Sequence, residues 1–176
     1  MQHHRHAGLA GTLGTDDAEP LVPHPDATHD DAVMAWFPIA SPDGREIESL
    51  EGLLCVPTRP GAMRLVAVPH VVQGLALGDE VAVADWDGEP LARGELALAL
   101  AGTVRVVAGT DWTWRQLAAV IHAAAAESCW FDPVGEHAVA ATVPRSRLGA
   151  VFAALTRLAA DHDTVRWEYA TPSRHA

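Results

Sequence analysis

Two groups of carboxylate and imidazole side chains have the residue types that acid/base catalysis uses. They are His70, Asp79 and Glu80 around one corner of the chain, and Asp111, His122 and Glu127 in or before one predicted helix. Such catalysis needs groups within hydrogen-bond reach of each other, in a pocket that shifts their pKa values. Neither spacing predicts that arrangement, and His122, beside four alanines, is typical of a helix flank. An enzyme is therefore the less favoured interpretation.

Histidines near the N-terminus raise the question of a metal site. They are His3, His4 and His6, followed by the run from His24 to Asp31. A metal site needs fixed geometry and outer groups that orient its ligands, and a segment rich in Gly, Pro and Asp supplies neither. The chain also has no glycine-rich phosphate loop and no Gly-x-Ser-x-Gly or His-Glu-x-x-His motif. We therefore predict no metal, no cofactor and no catalytic residue.

The composition is that of an acidic globular protein. The chain has 176 residues, of which 49% are hydrophobic, and a formal net charge of −11. This length and apolar content allow a sizeable core in one domain or in two small ones. Nucleic acids and anionic membranes are bound by basic surfaces, so neither is predicted as a partner. A protein partner, in particular a basic one, stays open.

The two cysteines, Cys55 and Cys129, lie far apart in apolar segments, without a Cys-x-x-Cys spacing. Free cysteines in such segments behave as small buried hydrophobes. The N-terminus lacks a basic-then-apolar signal pattern, and no apolar run reaches the roughly 18 residues of a membrane span. We therefore expect a cytoplasmic protein.

Short apolar segments separated by turn residues dominate the chain up to residue 101. The predicted strands are 32–39, 47–56, 63–68, 80–85 and 91–100, with a hairpin turn at Asp87-Gly88. Strands of this length at regular spacing predict a small antiparallel β-barrel over 32–101, because closing a sheet removes its edges. Residues 1–31 show no apolar period and are predicted to form a flexible tail.

Beyond residue 102, strand-like segments at 103–107, 129–132, 138–143 and 165–169 alternate with two helices. The first helix has its predicted N-cap at Thr110 or Asp111, and the second begins at Pro144; each has an apolar stripe. This order predicts a ferredoxin-like β-α-β-β-α-β domain over 102–171, with both helices on one face of a four-stranded sheet. The other face is left to meet the barrel or a partner. Residues 172–176 are a predicted C-terminal tail, and the whole chain is α+β.

A glycine corner precedes the fourth predicted strand. Gly78-Asp79 interrupts an apolar run, and glycine takes a positive φ without a Cβ clash, so a tight corner with a local hydrogen bond from Asp79 is predicted. Residues near this corner and two tryptophans form the candidate set for an interaction surface or a structural corner. They are His70, Gln73, Gly74, Gly78, Asp79, Trp112 and Trp167.

Five segments of the chain resemble a known family. They read Trp36-Phe37-Pro38-Ile39, Glu48-Ser49-Leu50-Glu51, Val72-Gln73-Gly74-Leu75-Ala76-Leu77-Gly78-Asp79-Glu80-Val81, Thr103-Val104-Arg105-Val106-Val107 and Trp167-Glu168-Tyr169. Over about residues 33–170 this pattern is similar to bacterial domain-of-unknown-function family 4265. Members often read Asn-Ile-Pro-Phe where this chain has Ala67-Val68-Pro69-His70, so no aromatic role carries over. The resemblance implies the domain layout and no catalytic residue.

A non-catalytic interaction protein is the function that these observations favour. It would bind a protein partner, as a toxin-neutralising immunity protein or an escort in a gene cluster does. A net charge of −11 would speed its docking onto a basic partner. A small-molecule sensor or accessory domain is the alternative, because ferredoxin-like sheets bind ligands at an edge. The sequence leaves the oligomeric state open.

Overall fold

The computed structural model describes residues 2–5, 10–13, 21–28, 30–41, 45–126 and 129–170. Within these ranges the protein is α+β and consists mostly of strands. The strands are β1 (Gln2–Arg5), β2 (Gly11–Thr12), β3 (Val22–Pro23), β4 (Val33–Ala40), β5 (Ile47–Arg59), β6 (Ala62–Leu65), β7 (Glu80–Trp86), β8 (Glu89–Ala97), β9 (Ala101–Val107), β10 (Trp130–Pro133), β11 (Ala138–Pro144) and β12 (Arg166–Tyr169). The α-helices are α1 (Trp114–Ala125) and α2 (Leu148–Asp161), and short 3-10 turns lie at Pro25–Thr28 and Arg145–Arg147.

Strands β4 to β8 form a closed barrel in the order β5-β4-β8-β7-β6, because β5 pairs with both β4 and β6. The predicted barrel is confirmed. It is not antiparallel throughout, however, since β4 and β8 are parallel, with Trp36 opposite Leu91. Strand direction alternates along the chain, and an odd number of strands cannot alternate all the way around a ring. One neighbouring pair must therefore be parallel.

The hairpin between β7 and β8 turns on two residues. Trp86 lies opposite Glu89, and the residues between them, Asp87 and Gly88, have φ values of 54° and 85°. A two-residue turn with positive φ at both positions matches the twist of the flanking strands. The hairpin predicted from the Asp-Gly pair is confirmed.

The barrel encloses a small apolar core. Its buried members from β4, β5 and β6 include Ala35, Phe37, Leu53, Cys55 and Leu65. Burial raises the pKa of the Cys55 thiol to about 12. The thiol therefore stays neutral at physiological pH and serves as a packing group, as the sequence predicts.

The second half pairs β12, β9, β11 and β10 in that order, and each neighbouring pair is antiparallel. Both helices pack on one face of this sheet, where the predicted apolar stripes are buried. The fully buried helix residues there are Leu117, Ala118, Ile121, Ala125, Val151 and Leu155. Sheet side chains at the alternate positions point to the opposite face, which is turned toward the barrel.

Helix α1 begins later than the sequence analysis places it. Its N-cap is Thr113, whose hydroxyl accepts the Gln116 N–H, while the Gln116 side chain accepts the Thr113 N–H at 2.8 Å. This reciprocal pair is a capping box. The prediction of Thr110 or Asp111 as the cap is wrong because neither has a Glu or Gln three positions further on.

The N-terminal segment, predicted as a flexible tail over 1–31, belongs to both sheets in its described parts. β1 pairs in parallel with residues 49–52 of β5, β2 pairs with β10, and β3 pairs with β2. Ala10 is fully buried. The second sheet therefore has six strands where four were predicted. Strands of two to four residues are too short to show the apolar periodicity on which the prediction relied.

Several residues named in the predictions lie outside the described ranges. They are His6, His29, Glu127 and the C-terminal tail at 172–176, together with the side chains of His3 and His4. The domain boundaries at 32–101 and 102–171 stay predictions. Among the described residues, no helix has the length and apolar character needed to cross a membrane.

Gly102 in β9 is a position where packing requires glycine. A β-carbon there would lie 2.7 Å from the Tyr169 ring and 3.1 Å from Leu148. We expect Gly102→Ala to lower the free energy of unfolding by about 1–3 kcal/mol, the usual cost of overpacking. The matched control is Gly149→Ala in α2, because a β-carbon at Gly149 meets nothing within 4 Å. Chemical denaturation that found Gly102→Ala as stable as the wild type would contradict this packing.

Candidate functional site

The loop between β6 and β7, residues 66–79, joins the two halves of the protein, and we call it the bridging segment. Val72 and Leu75 of this segment pack in the barrel core, while Val68 and Leu77 pack against β11 of the second sheet. A segment without regular secondary structure is therefore buried on two sides. Its backbone polar groups need partners from the protein, because water does not reach them.

A buried carboxylate on β5 binds the N–H groups at the start of the bridging segment. Glu51 is 1% exposed, and its oxygens accept hydrogen bonds from the N–H groups of His70 (2.7 Å), Val71 (3.1 Å) and Val72 (2.7 Å). Successive N–H groups that converge on one point form an anion-binding concavity. A charge withdrawn from water is tolerated where hydrogen bonds satisfy it. The carboxylate and this turn therefore stabilise each other.

The second sheet binds the carbonyl groups of the same turn. Arg105 of β9 donates to the carbonyl oxygens of Pro69, at 3.3 Å, and of Val72. Glu51 from the barrel and Arg105 from the second sheet thus hold one piece of backbone between them. Since hydrogen bonds to charged groups are the stronger kind, this turn fixes the second sheet relative to the barrel.

Two threonines of the second sheet complete this contact. Thr103 Oγ1 donates to the Leu75 carbonyl at 2.8 Å, and Thr142 Oγ1 accepts the Leu77 N–H at 3.2 Å. Both threonines are buried. The bridging segment therefore covers part of the sheet face that lies opposite the helices.

The Gly78-Asp79 corner ends the bridging segment. Gly78 has a φ of 97°, and the buried Asp79 side chain accepts the N–H groups of Ala76, at 2.7 Å, and Ala99. The predicted local hydrogen bond is thus present. Burial raises the pKa of Asp79 to about 6, while the two backbone hydrogen bonds lower it. Because Ala99 follows β8, this carboxylate also ties the corner to the end of the barrel.

The members of the first predicted acid/base group have different partners. Asp79 accepts backbone N–H groups, and Glu80 pairs with Arg59 at 2.9 Å. His70 Nε2 lies 3.7 Å from Oδ1 of Asp132, which is 1% exposed. The structure therefore brings His70 to a carboxylate that the sequence analysis did not select.

The second predicted acid/base group is not assembled by its described members. Asp111 precedes α1, whereas His122 is exposed in the last turn of this helix. In the part of the chain that the structure describes, no three His, Cys, Asp or Glu side chains come close enough to hold a metal ion.

An open cleft of about 590 Å³ enters the side of the barrel, and we call it the barrel cleft. It is lined by residues 38–41, 71–73, 92–95, Leu75 and Val81. Strands β4 and β8 pair at Trp36 and Leu91, and among the described residues they form no further pair toward the cleft. Pro38 has no backbone N–H, so β4 offers one donor fewer beyond Trp36. The barrel cleft is thus a gap between two parallel strands.

A smaller cleft of about 320 Å³ lies on the second sheet, and we call it the sheet cleft. Its lining includes His70, Arg105, Val107, Trp167 and Glu168. Arg105 Nη1 pairs with Glu168 Oε1 at 2.8 Å. The sheet cleft therefore combines apolar walls with an ion pair and an imidazole ring.

Most of the predicted site residues lie together. His70, Gln73, Gly74 and Gly78 belong to the bridging segment, which Asp79 ends, and Gln73 also lines the barrel cleft. Five of the seven candidates thus lie in the segment at which the two halves meet. Its functional role stays a prediction.

The two predicted tryptophans lie elsewhere. Trp167 stacks on Phe152 with 5.3 Å between ring centres, and it borders the sheet cleft together with His70. Trp112 packs edge-on against His162 at 5.0 Å, beside the core of the second half. The structure therefore does not bring Trp112 to the bridging segment.

Sequence reasoning missed Glu51 and Arg105 as site residues. Each is a charged residue within an apolar strand, in Leu50-Glu51-Gly52-Leu53 and Val104-Arg105-Val106. Charged side chains are almost never fully buried unless they are paired. A charge at the centre of a buried strand is therefore the signal that would have identified both.

No protein-family model matches the chain, and no curated protein does. Among solved structures, the fold is similar to that of a hypothetical protein from Neisseria gonorrhoeae, with a TM-score of 0.67. The two chains are 17% identical, and the match covers 81% of this chain and 96% of that one. At this identity the likeness concerns the fold alone. The resemblance to family 4265 stays a prediction.

Replacing Glu51 tests whether its carboxylate organises the bridging segment. Glu51→Gln keeps the size of the side chain but turns one acceptor into a donor that faces backbone donors. Hydrogen bonds to charged groups contribute about 1.5–3 kcal/mol each, so we expect the free energy of unfolding to fall by about 3 kcal/mol or more. The control is Glu48→Gln at an exposed position of the same strand, which should change it by less than about 0.5 kcal/mol. Urea denaturation that found both variants equally stable would rule out this role.

The buried Asp79 predicts a pH dependence of stability. Its pKa is 3.8 when unperturbed and about 6 in the folded protein, so between these values the folded state binds more protons than the unfolded chain. The contribution of this group to the free energy of unfolding therefore falls as pH rises from about 4 to about 6. Asp79→Asn removes this titrating group. The free energy of unfolding of the wild type minus that of the variant should therefore decrease as pH rises across this window. Urea melts from pH 4 to pH 7 measure this difference, and a difference that grows with pH would contradict the raised pKa.

Proposed function

We propose that this chain is a non-catalytic protein that binds a protein partner at the barrel cleft. The observation that carries the proposal is the gap in the barrel wall, where β4 and β8 share the single pair Trp36 and Leu91 and the cleft opens beyond it. Strand edges that no neighbour covers are places at which another chain pairs. They offer evenly spaced N–H and C=O groups, which suit a polypeptide.

The lining of the barrel cleft supports this proposal. Its interior includes Ile39, Leu75 and Val81, while Arg93 and Glu95 are exposed on β8. An apolar centre with a polar rim is the usual composition of a protein interface. Two leucines in and after β8 also expose apolar surface, since Leu96 is 46% and Leu100 is 81% exposed.

The charge of the protein supports a basic partner. A net charge of −11 attracts a basic protein and repels nucleic acids and anionic membranes. A toxin that is neutralised, or an enzyme that is escorted within a gene cluster, would be a partner of this kind.

The proposal includes a ferredoxin-like second domain and a cytoplasmic location. The element order β9-α1-β10-β11-α2-β12 and the strand order β12-β9-β11-β10 support the first. Cys55, a buried thiol outside any disulfide, supports the second, because reducing compartments keep thiols reduced.

A small-molecule sensor is the second candidate, and the sheet cleft favours it. Its volume of about 320 Å³ is at the lower end of the range for ligand pockets, about 300–1,000 Å³. Few polar groups, among them His70 and Glu168, stand in its apolar wall. A small enzyme is less favoured because Asp79 and Glu80 are engaged by the backbone and by Arg59.

A bulky residue at the barrel cleft tests the first candidate against the second. Gly94 lines this cleft, its φ lies outside the left-handed region, and a β-carbon there meets nothing within 4 Å. Gly94→Leu therefore adds a bulky side chain to the wall of the cleft, and we expect the variant to keep the fold. Gly149→Leu, on the exposed side of α2, is the matched control.

We expect immobilised wild type and Gly149→Leu to retain the same protein from extracts of the source cell. Gly94→Leu should bind that protein at least about tenfold more weakly, which corresponds to a loss of about 1.4 kcal/mol of binding free energy. Retention that Gly94→Leu leaves unchanged would contradict binding at the barrel cleft. A metabolite that raises the melting temperature of all three proteins equally would favour the sensor.

A further inference from the structure

The geometry points to strand addition: an extended basic segment of the partner protein pairs with the edge of β8 that faces the barrel cleft. This inference rests on the proposed function and specifies which part of the partner is bound and how.

Strand β8 uses its two edges very differently. The edge toward β7 carries seven residue pairs, from Glu89 opposite Trp86 to Ala97 opposite Glu80, with two β-bulges where the register shifts. The other edge pairs with β4 at Leu91, and over residues 93–97 no pair forms on it within the described residues. These residues are exposed. Their outward N–H and C=O groups are therefore accessible to an added strand.

Gly94 lies in the middle of this accessible edge. Its backbone is not left-handed, and its missing β-carbon would meet no described atom within 4 Å. The register between β7 and β8 shifts between Ala82 and Val83, so Gly94 lies beside a β-bulge, a usual position for glycine within a strand. The open space around Gly94 leaves room for the backbone of an added strand.

The lining of the barrel cleft defines the side chains of the added strand. Side chains of a strand alternate between two faces, so every second residue of the bound segment enters the cleft. There it meets Ile39, Leu75 and Val81, which select apolar residues. The segment should therefore alternate apolar residues with polar ones.

Charge selects a basic segment over a second copy of this chain. A second copy brings the same net charge of −11 and is repelled, whereas a basic segment is attracted. The charged residues that line the cleft, Arg93 and Glu95, balance each other. The attraction for a basic segment therefore comes from the net charge of the whole protein.

Selection from a random-peptide display library on the immobilised full-length protein tests the inference. We expect enriched peptides with apolar residues at alternate positions and an excess of Arg and Lys. A synthetic copy of the strongest peptide should bind less tightly as salt is added. Its dissociation constant should rise about tenfold or more for Gly94→Leu and stay unchanged for Gly149→Leu. Enrichment of acidic or non-alternating peptides, or of none above the bare support, would overturn the inference.

Backbone N-methylation of the selected peptide tests strand pairing itself. Methyl groups on the alternate amides that face β8 should abolish binding, and methyl groups on the intervening amides should leave it intact. The bound peptide should also slow amide exchange over residues 93–97. If both methylated peptides bind normally, or if exchange slows elsewhere, strand addition is wrong even where the cleft-dependent capture of a protein succeeds. If light scattering finds a wild-type dimer that Gly94→Leu abolishes, the edge serves self-association and the inference is overturned.

Discussion

The carboxylate of Glu51 lies beneath the bridging segment, with the N–H groups of three consecutive residues directed at its oxygens. A charge that loses its water must regain hydrogen bonds, and buried backbone donors outside helices and strands must find acceptors. The carboxylate supplies acceptors for the backbone N–H groups, and these N–H groups replace the water that the carboxylate has lost. Arg105 completes the arrangement by binding carbonyl groups of the same turn from the second sheet. The relative position of the two halves depends on this turn.

The shape of the barrel cleft depends on the same interaction. Residues 71–73 form part of the lining of the cleft, and Glu51 holds the N–H groups of Val71 and Val72. The opening has a topological origin as well, because a ring with an odd number of alternating strands must contain one parallel pair. Among the described residues, β4 and β8 share one residue pair, fewer than any other neighbouring strands of the barrel. The candidate binding site thus lies where a constraint of topology meets a segment fixed by a buried charge.

The features that the sequence predicts well are local. The Asp87-Gly88 hairpin depends on two residues that tolerate positive φ, and the helices depend on apolar stripes such as Leu148, Val151 and Leu155. Each of these signals lies within about a dozen residues of sequence, a range in which periodicity and turn chemistry determine the structure. The order of strands and helices in both halves could therefore be predicted.

The features that the sequence misses depend on contacts between distant segments. The pairing of β1 with β5 is made by backbone groups and leaves no side-chain pattern. The bonds from Glu51 to residues 70–72 and from Arg105 to Pro69 connect parts of the chain whose proximity becomes evident once the barrel is closed. The barrel cleft likewise follows from how β4 and β8 meet, which strand prediction alone does not define.

Native-state hydrogen exchange of the His70, Val71 and Val72 amides tests most directly whether the buried carboxylate holds the two halves together. Amides that open only when the whole protein unfolds exchange with the free energy of global unfolding. Since all three N–H groups are bound by Glu51 within the contact between the halves, we expect them to show that global value, as the central amides of β5 and β9 do. Exchange of these three amides at a much lower free energy, while β5 and β9 stay protected, would show that the turn opens independently and would contradict this account.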